Sequence, residues 1–201
     1  MLGIALLIGW KIKYAAPASA GLVLVIFGSI VAHFGLNTQD SSLIKDIGLI
    51  GAGCALWLLG AGKYSIDNPI EHTEKAEYAG PVLRVTLAAV LGILGFQTLQ
   101  TIQLLGIAEL IFTALLIAGW MTRYGALGAF AITAFIWYTV LFTTTNLPEG
   151  FSIWNDPTRF RDAGILASAL ALFLLGSGKW SVDGVMEKSK IQRYETNIAK
   201  I

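Results

Sequence analysis

The chain has 201 residues, 55% of them hydrophobic and only 13% charged, with a mean hydropathy of +0.68 and a formal net charge of +1. Soluble domains carry about 25% charged residues, so the deficit points to an integral membrane protein, and the near-neutral charge gives a nucleic-acid partner no electrostatic support. With one cysteine, Cys54, and two histidines, His33 and His72, the chain by itself has no internal disulfide, C-x-x-C motif, thiolate-held iron–sulfur cluster, haem-attachment motif or common metal-ligand spacing.

The chain opens on a short apolar run, MLGIALLIGW over 1–10, closed by Lys11, Lys13 and Tyr14. At 1.5 Å per residue it covers about half of a ~30 Å hydrocarbon core. Its positive charge follows the apolar part, the wrong polarity for a signal peptide, although AAPASA would supply small residues for cleavage. Longer apolar runs predict spans over 17–34 and 43–60. A polar connector over 61–79 contains Asn68-Pro69, and further spans follow over 81–99, 104–121, 124–143 and 163–178. The tail over 184–201 is polar.

One stretch is written twice. Residues 59–67 read LGAGKYSID and residues 175–183 read LGSGKWSVD, each closing a run that opens on a base–acid pair, Lys45-Asp46 or Arg161-Asp162. Asp46, Gly48, Gly60, Gly62, Lys63, Ser65 and Asp67 map by one offset onto Asp162, Gly164, Gly176, Gly178, Lys179, Ser181 and Asp183. A second correspondence sets Gly9-Trp10 and Tyr14 against Gly119-Trp120 and Tyr124. We read an internal duplication. The expected fold is an all-α integral membrane protein of about seven transmembrane helices in two tandem four-helix repeats, the first lacking its initial helix. The first repeat and its connector occupy 1–76, and the complete second repeat with its tail occupies 77–201. In this register Met1 falls inside a helix, so the sequence is expected to start part-way through one.

Eleven cations, from Lys11 and Lys13 through Lys63, Lys75, Arg84, Arg123 and Lys179 to the tail, fall on one side of these spans. Only Lys45, Arg159 and Arg161 fall on the other. The positive-inside rule then places the C-terminus in the cytoplasm, with Trp10, Tyr14, Tyr64, Trp120, Tyr124 and Trp180 as an inner aromatic belt.

Glu109 is the sharpest candidate for chemistry, because a carboxylate inside an apolar span costs about 2.5–3.5 kcal/mol at mid-helix. It is read as a proton-accepting or hydrogen-bonding group beside a quinone or substrate; the plain alternative is a structural hydrogen bond to Gln97, Gln100 or a neighbouring helix. Lys45, Arg159 and Arg161, with Trp154 on the outer loop, are candidates for receiving a small anion. The alternative there is helix capping by Asp46 and Asp162 with interfacial anchoring. His33 and Trp137 are candidates for lining a cofactor pocket. Arg84 is expected to snorkel to the inner interface. Gly48, Gly51 and Gly53 are expected to let helices approach closely rather than to form a nucleotide loop, and Cys54 is expected to be buried.

Arg84…Gly95, AELIFTALLIAGWMTRYGAL, NLPEGF and RDAGILASALALFLLGSGKWSVD occur in that order. Together they resemble the DoxX/DoxD family of bacterial and archaeal four-helix membrane proteins, over about residues 80–184, with a second copy recognisable over 1–67. The chain departs from that pattern at Gln97-Thr98, where the family often has a basic residue, and its first copy has no counterpart of Glu109. The resemblance implies a prokaryotic plasma-membrane protein from a family with a range of functions: DoxD-type members form the membrane subunit of a thiosulfate:quinone oxidoreductase with a small partner subunit, and other relatives are associated with oxidative-stress or methylamine-utilisation systems or have no assigned activity. The expected function here is the first, a quinone-linked oxidoreductase subunit passing electrons from a small sulfur anion such as thiosulfate to quinone. The alternative is a non-catalytic accessory or scaffold subunit of a respiratory or photosynthetic membrane complex. A transporter ranks below both.

Overall fold

In a computed structural model, described for residues 2–35, 41–60, 65–66, 75–143, 157–178, 180–186 and 188–189, the chain is helical and contains no strand among those residues. The helices are α1 (Leu2–Ile8), α2 (Ile12–Phe34), α3 (Ser41–Leu59), α4 (Ala79–Leu99), α5 (Gln103–Ala118), α6 (Thr122–Thr143) and α7 (Pro157–Leu175), with a single 3₁₀ turn at Ala76–Tyr78 leading into α4. Among the described residues two segments are long and apolar enough to cross a membrane, Ile12–His33 and Ala76–Leu99, and α5 is a shorter apolar helix.

The elements begin earlier than the apolar runs that announced them. α2 starts at Ile12, so Pro17 lies inside it, and the backbone bond that its missing N–H would make is simply absent. α7 starts on Pro157, a residue whose fixed φ suits a first helical position. Charged or polar residues in a first helical turn cost little, which is why hydrophobicity alone placed these starts several residues late.

α4 is the hub. It packs against α3, α5, α6 and α7, and its buried positions fall on more than one face, including Leu83, Leu87, Val90, Leu91 and Gly95. With Ile44, Leu116, Ala126, Ile165, Ala169 and Leu172, the side chains of Leu83, Leu87, Val90 and Leu91 form the core. α2 is peripheral by contrast: 17% of its apolar window is buried, against 56% for α4.

The three α3 glycines each stand at a helix contact. A Cβ on Gly53 would lie 2.9 Å from that of Ala20 on α2, one on Gly51 would overlap Thr86 of α4, and one on Gly48 would meet Val90 of α4 and Ile165 of α7. Cys54, expected to be buried, is only half-buried and carries a free thiol.

α3 and α7 match in detail. Each has 19 residues, their starts and their ends are both 116 positions apart, and each is followed by a glycine in the left-handed region, Gly60 or Gly176. The turns after α1 and α5 match likewise. Gly9 and Gly119 have φ of 69° and 64°, Lys11 and Met121 have φ of 50° and 51°, and the amides of Trp10 and Trp120 donate to the carbonyls of Ala5 and Leu115.

Candidate functional site

Where α3 and α7 begin, the two base–acid pairs exchange partners. Lys45 Nζ lies 2.6 Å from Asp162 Oδ1, and Arg161 Nε lies 3.0 Å from Asp46 Oδ1. The apolar residues below do the same: Leu49 packs onto Gly164 while Ile165 packs onto Gly48. Positions 116 apart therefore meet reciprocally, the pattern of a two-fold contact, and the two helix starts lie side by side.

This arrangement corrects the expected capping. Asp46 and Asp162 are each the sixth residue of their helix, beyond the reach of the free N-terminal amides, and each faces the other helix's cation instead. It also changes what Lys45 and Arg161 offer. Both are already opposed by carboxylates, so the cluster of four groups is electrically balanced and exerts little net pull on an anion. Arg159 is the third residue of α7, and its side chain, together with Trp154, lies outside the described residues.

A cavity of about 210 Å³ lies just inside this cluster, lined by Lys45 and Asp162, by Leu94, Gln97 and Thr98 of α4, by Thr133 and Ile136 of α6, by Val90, Leu91 and Ile165, and by Glu109. Glu109 is brought there by the α4–α5 hairpin. The two helices touch through glycine: a Cβ on Gly106 would sit 2.4 Å from the Leu99 nitrogen, and one on Gly95 would sit 3.1 Å from the Glu109 Cβ. Without side chains at those positions the helices close together and Glu109 turns inward, 1% exposed.

The carboxyl meets the Thr98 side chain, and its Oε2 has no hydrogen-bond partner among the described residues. Thr98, on the neighbouring helix α4, is the partner that the sequence did not name. Of the two residues it did name, Gln97 lines the same cavity, whereas Gln100 is exposed at the helix end. Thr113, one turn further along α5, donates its hydroxyl to the Glu109 backbone carbonyl at 2.8 Å.

Two further candidates fall elsewhere. Trp137 lies one helical turn beyond the cavity-lining Thr133 on α6, and its buried indole N–H has no partner among the described residues. His33 is exposed on α2, its Nδ1 2.9 Å from the Ser29 carbonyl oxygen, and it is not among the cavity residues.

At the opposite end of the bundle the repeated G-x-G-K-[YW]-S-x-D motif is architectural. In the second copy Gly176, Gly178 and Trp180 all have positive φ. Ser181 Oγ accepts the Gly184 amide at 2.9 Å, capping the short helical segment that follows. Asp183 takes the amides of Met121 and Thr122, both at 2.9 Å, and so caps the start of α6 from a distant part of the chain.

Arg84 does not snorkel. It is 5% exposed, donating to the carbonyls of Trp180 at 2.8 Å and Ser177 at 3.3 Å. Those carbonyls follow the end of α7 and have no intrahelical donor, so a guanidinium fork fills them better than solvent would. In the first copy the same turn docks similarly, with Ser65 against Gly9 and the Ile66 amide donating to the Ile8 carbonyl. Trp10, Tyr14, Trp120, Tyr124 and Trp180 are all exposed at this end; Tyr64, Lys63 and Lys179 lie outside the described residues.

Comparison of the chain with protein-family models, with curated proteins and with solved structures finds no match.

Proposed function

We propose that this chain is a prokaryotic plasma-membrane protein of two tandem repeats related by an axis along the membrane normal, and that it serves as the membrane subunit of a DoxX/DoxD-type quinone-linked oxidoreductase. The single observation that carries the chemistry is Glu109: a wholly buried carboxyl with an unpartnered oxygen, sharing a largely apolar cavity with Lys45 and Asp162. Buried ionisable groups are costly and are retained mainly where they act. The reciprocal ion pairs and the matched glycine turns support the repeat reading. The exposed aromatics at one end of the bundle support a membrane interface there, with the C-terminus on the cytoplasmic side.

Quinone reduction consumes two electrons and two protons. On this proposal Lys45, whose ammonium has protons to spare beside its pair with Asp162, donates to a headgroup oxygen, and Glu109 takes up and passes on a proton. Several water molecules or one six-membered ring fit a cavity of this size. The sulfur donor, thiosulfate or a similar small anion, is met by a partner subunit, because Lys45 and Arg161 already oppose carboxylates.

The test is thiosulfate-dependent reduction of a soluble quinone analogue by membranes carrying the native complex. Glu109→Gln keeps the side-chain shape and removes the ionisable proton. Turnover is expected to fall by roughly two orders of magnitude, as for loss of a general acid–base group. Unchanged turnover sinks the proposal. One observation favours the accessory-subunit alternative: Leu170 and Leu174 of α7 are exposed and apolar, and α2 exposes Leu22, Val25 and Ile26. Fixed-stoichiometry co-purification with an oxidase or reaction centre, without quinone activity, would select it.

A further inference from the structure

We infer that Glu109 is a protonation site served by a hydrated half-channel that opens only at the end of the bundle where α3 and α7 begin. The inference rests on the membrane-spanning reading above and adds sidedness to it. Half-buried polar groups line the way in, and only Glu109 is fully closed off. The side chains of Lys45 and Asp162 keep 14% and 13% of their surface open, Gln97, Thr98 and Thr133 form polar walls, and Glu109 keeps 1%.

Beneath lie Val90, Leu91 and Ile165, none more than 2% exposed, and then Leu87, Leu116 and Leu172 at 0%. The next charged group along α4 is Arg84, about 21 Å from Thr98 at 1.5 Å per residue. A proton can therefore reach Glu109 through polar groups from one end, and from the other only across a close-packed apolar layer. The walls are mostly apolar, but Glu109, Gln97, Thr98, Thr133 and the Lys45–Asp162 pair give water the two to four polar partners it needs in a cavity of this size, and that water supplies the path.

Charge counting gives the same result. The groups facing Glu109 are Lys45 from α3 and Asp162 from α7, which oppose each other; α4 contributes uncharged Gln97 and Thr98, and α6 uncharged Thr133. The neighbouring Arg161–Asp46 pair is balanced as well. An ionised Glu109 would leave one uncompensated buried charge, a costly arrangement, and one proton removes it.

The experiment uses the full chain in sealed vesicles of defined orientation and two readouts. In the first, the infrared band of a protonated carboxyl, identified by its loss in Glu109→Gln, is followed while pH is changed on one side at a time. It is expected to respond to the side on which α3 and α7 begin. A band that follows the opposite side, one that sodium rather than proton concentration controls, or the absence of a Glu109-dependent band overturns the inference. In the second, Thr133→Cys in a Cys54→Ala background is exposed to silver ion from either side, with Tyr124→Cys marking the opposite face. Modification of Thr133→Cys is expected to be at least roughly tenfold faster from the α3/α7-start side, a difference of about 1.4 kcal/mol in barrier. Equal rates, or faster reaction from the Tyr124 side, overturn it. Neither readout uses quinone turnover, so failure of the oxidoreductase reading and failure of one-sided access are separable.

Discussion

At the scale of single residues, glycine decides how closely Glu109 is held to α4. Gly106 meets backbone atoms of Leu99, which cannot swing aside as a flexible side chain would. Gly106→Ala is therefore expected to cost about 1–3 kcal/mol of stability, the usual range for overpacking. Gly28→Ala on α2, where nothing lies within 4 Å of the added carbon, is expected to stabilise by up to about 1 kcal/mol through helix propensity. Thermal unfolding of both variants in one detergent gives the comparison, and equal midpoints would refute the close-approach account. Glu109 itself was legible from sequence, because a carboxyl in an apolar run is conspicuous. Its contact with Thr98 was not, since several neighbouring polar residues offered equally plausible partners and only packing chose among them.

At the scale of elements, the start of α6 depends on a residue 61 or 62 positions later in the chain. Removing a capping side chain typically costs about 1 kcal/mol, up to about 2. Asp183→Ala is expected to cost about that much and to speed hydrogen exchange at the Met121 and Thr122 amides. Asp183→Asn, which keeps one acceptor, should retain part of the protection.

Arg84 makes the neighbouring brace with two N–H groups directed at two carbonyls. Arg84→Met keeps most of the volume and leaves both carbonyls without that donor, and a lost hydrogen bond to a charged group costs about 1.5–3 kcal/mol. Arg84→Lys is expected to recover little in the same unfolding measurement, because an ammonium is a compact donor rather than a fork. The motif's glycines were recognisable as helix stops from their type alone. The tasks of Asp183 and Arg84 were not, because both act on residues far away in sequence.

At the scale of the whole molecule, two ion pairs tie the first half of the chain to the second. If the pairing is what matters, Lys45→Asp and Asp162→Lys should each destabilise the bundle, and the double exchange should recover most of the loss. The coupling energy is expected within the roughly 0.5–3 kcal/mol found for interacting neighbours. Arg161→Ala should cost more than Lys45→Ala, because it withdraws the cation from the 3%-exposed Asp46 rather than from the 13%-exposed Asp162. Additive single effects in the swap, or the reverse ranking, would remove the ion pairs from the account of how the halves join.

The sequence by itself determined the helical class, the approximate positions of the helices, the two related segments and the prominence of Glu109, because hydrophobic runs, glycine stops and a lone carboxyl are local signals carried by residue type. Only the tertiary structure decided that Lys45 faces Asp162 and Arg161 faces Asp46, that Arg84 is buried against the end of α7, and that Glu109, Thr98 and the Lys45–Asp162 pair share one cavity. Those relations join residues tens of positions apart, and a linear sequence leaves the partner of each charge open until packed helices bring one choice within reach.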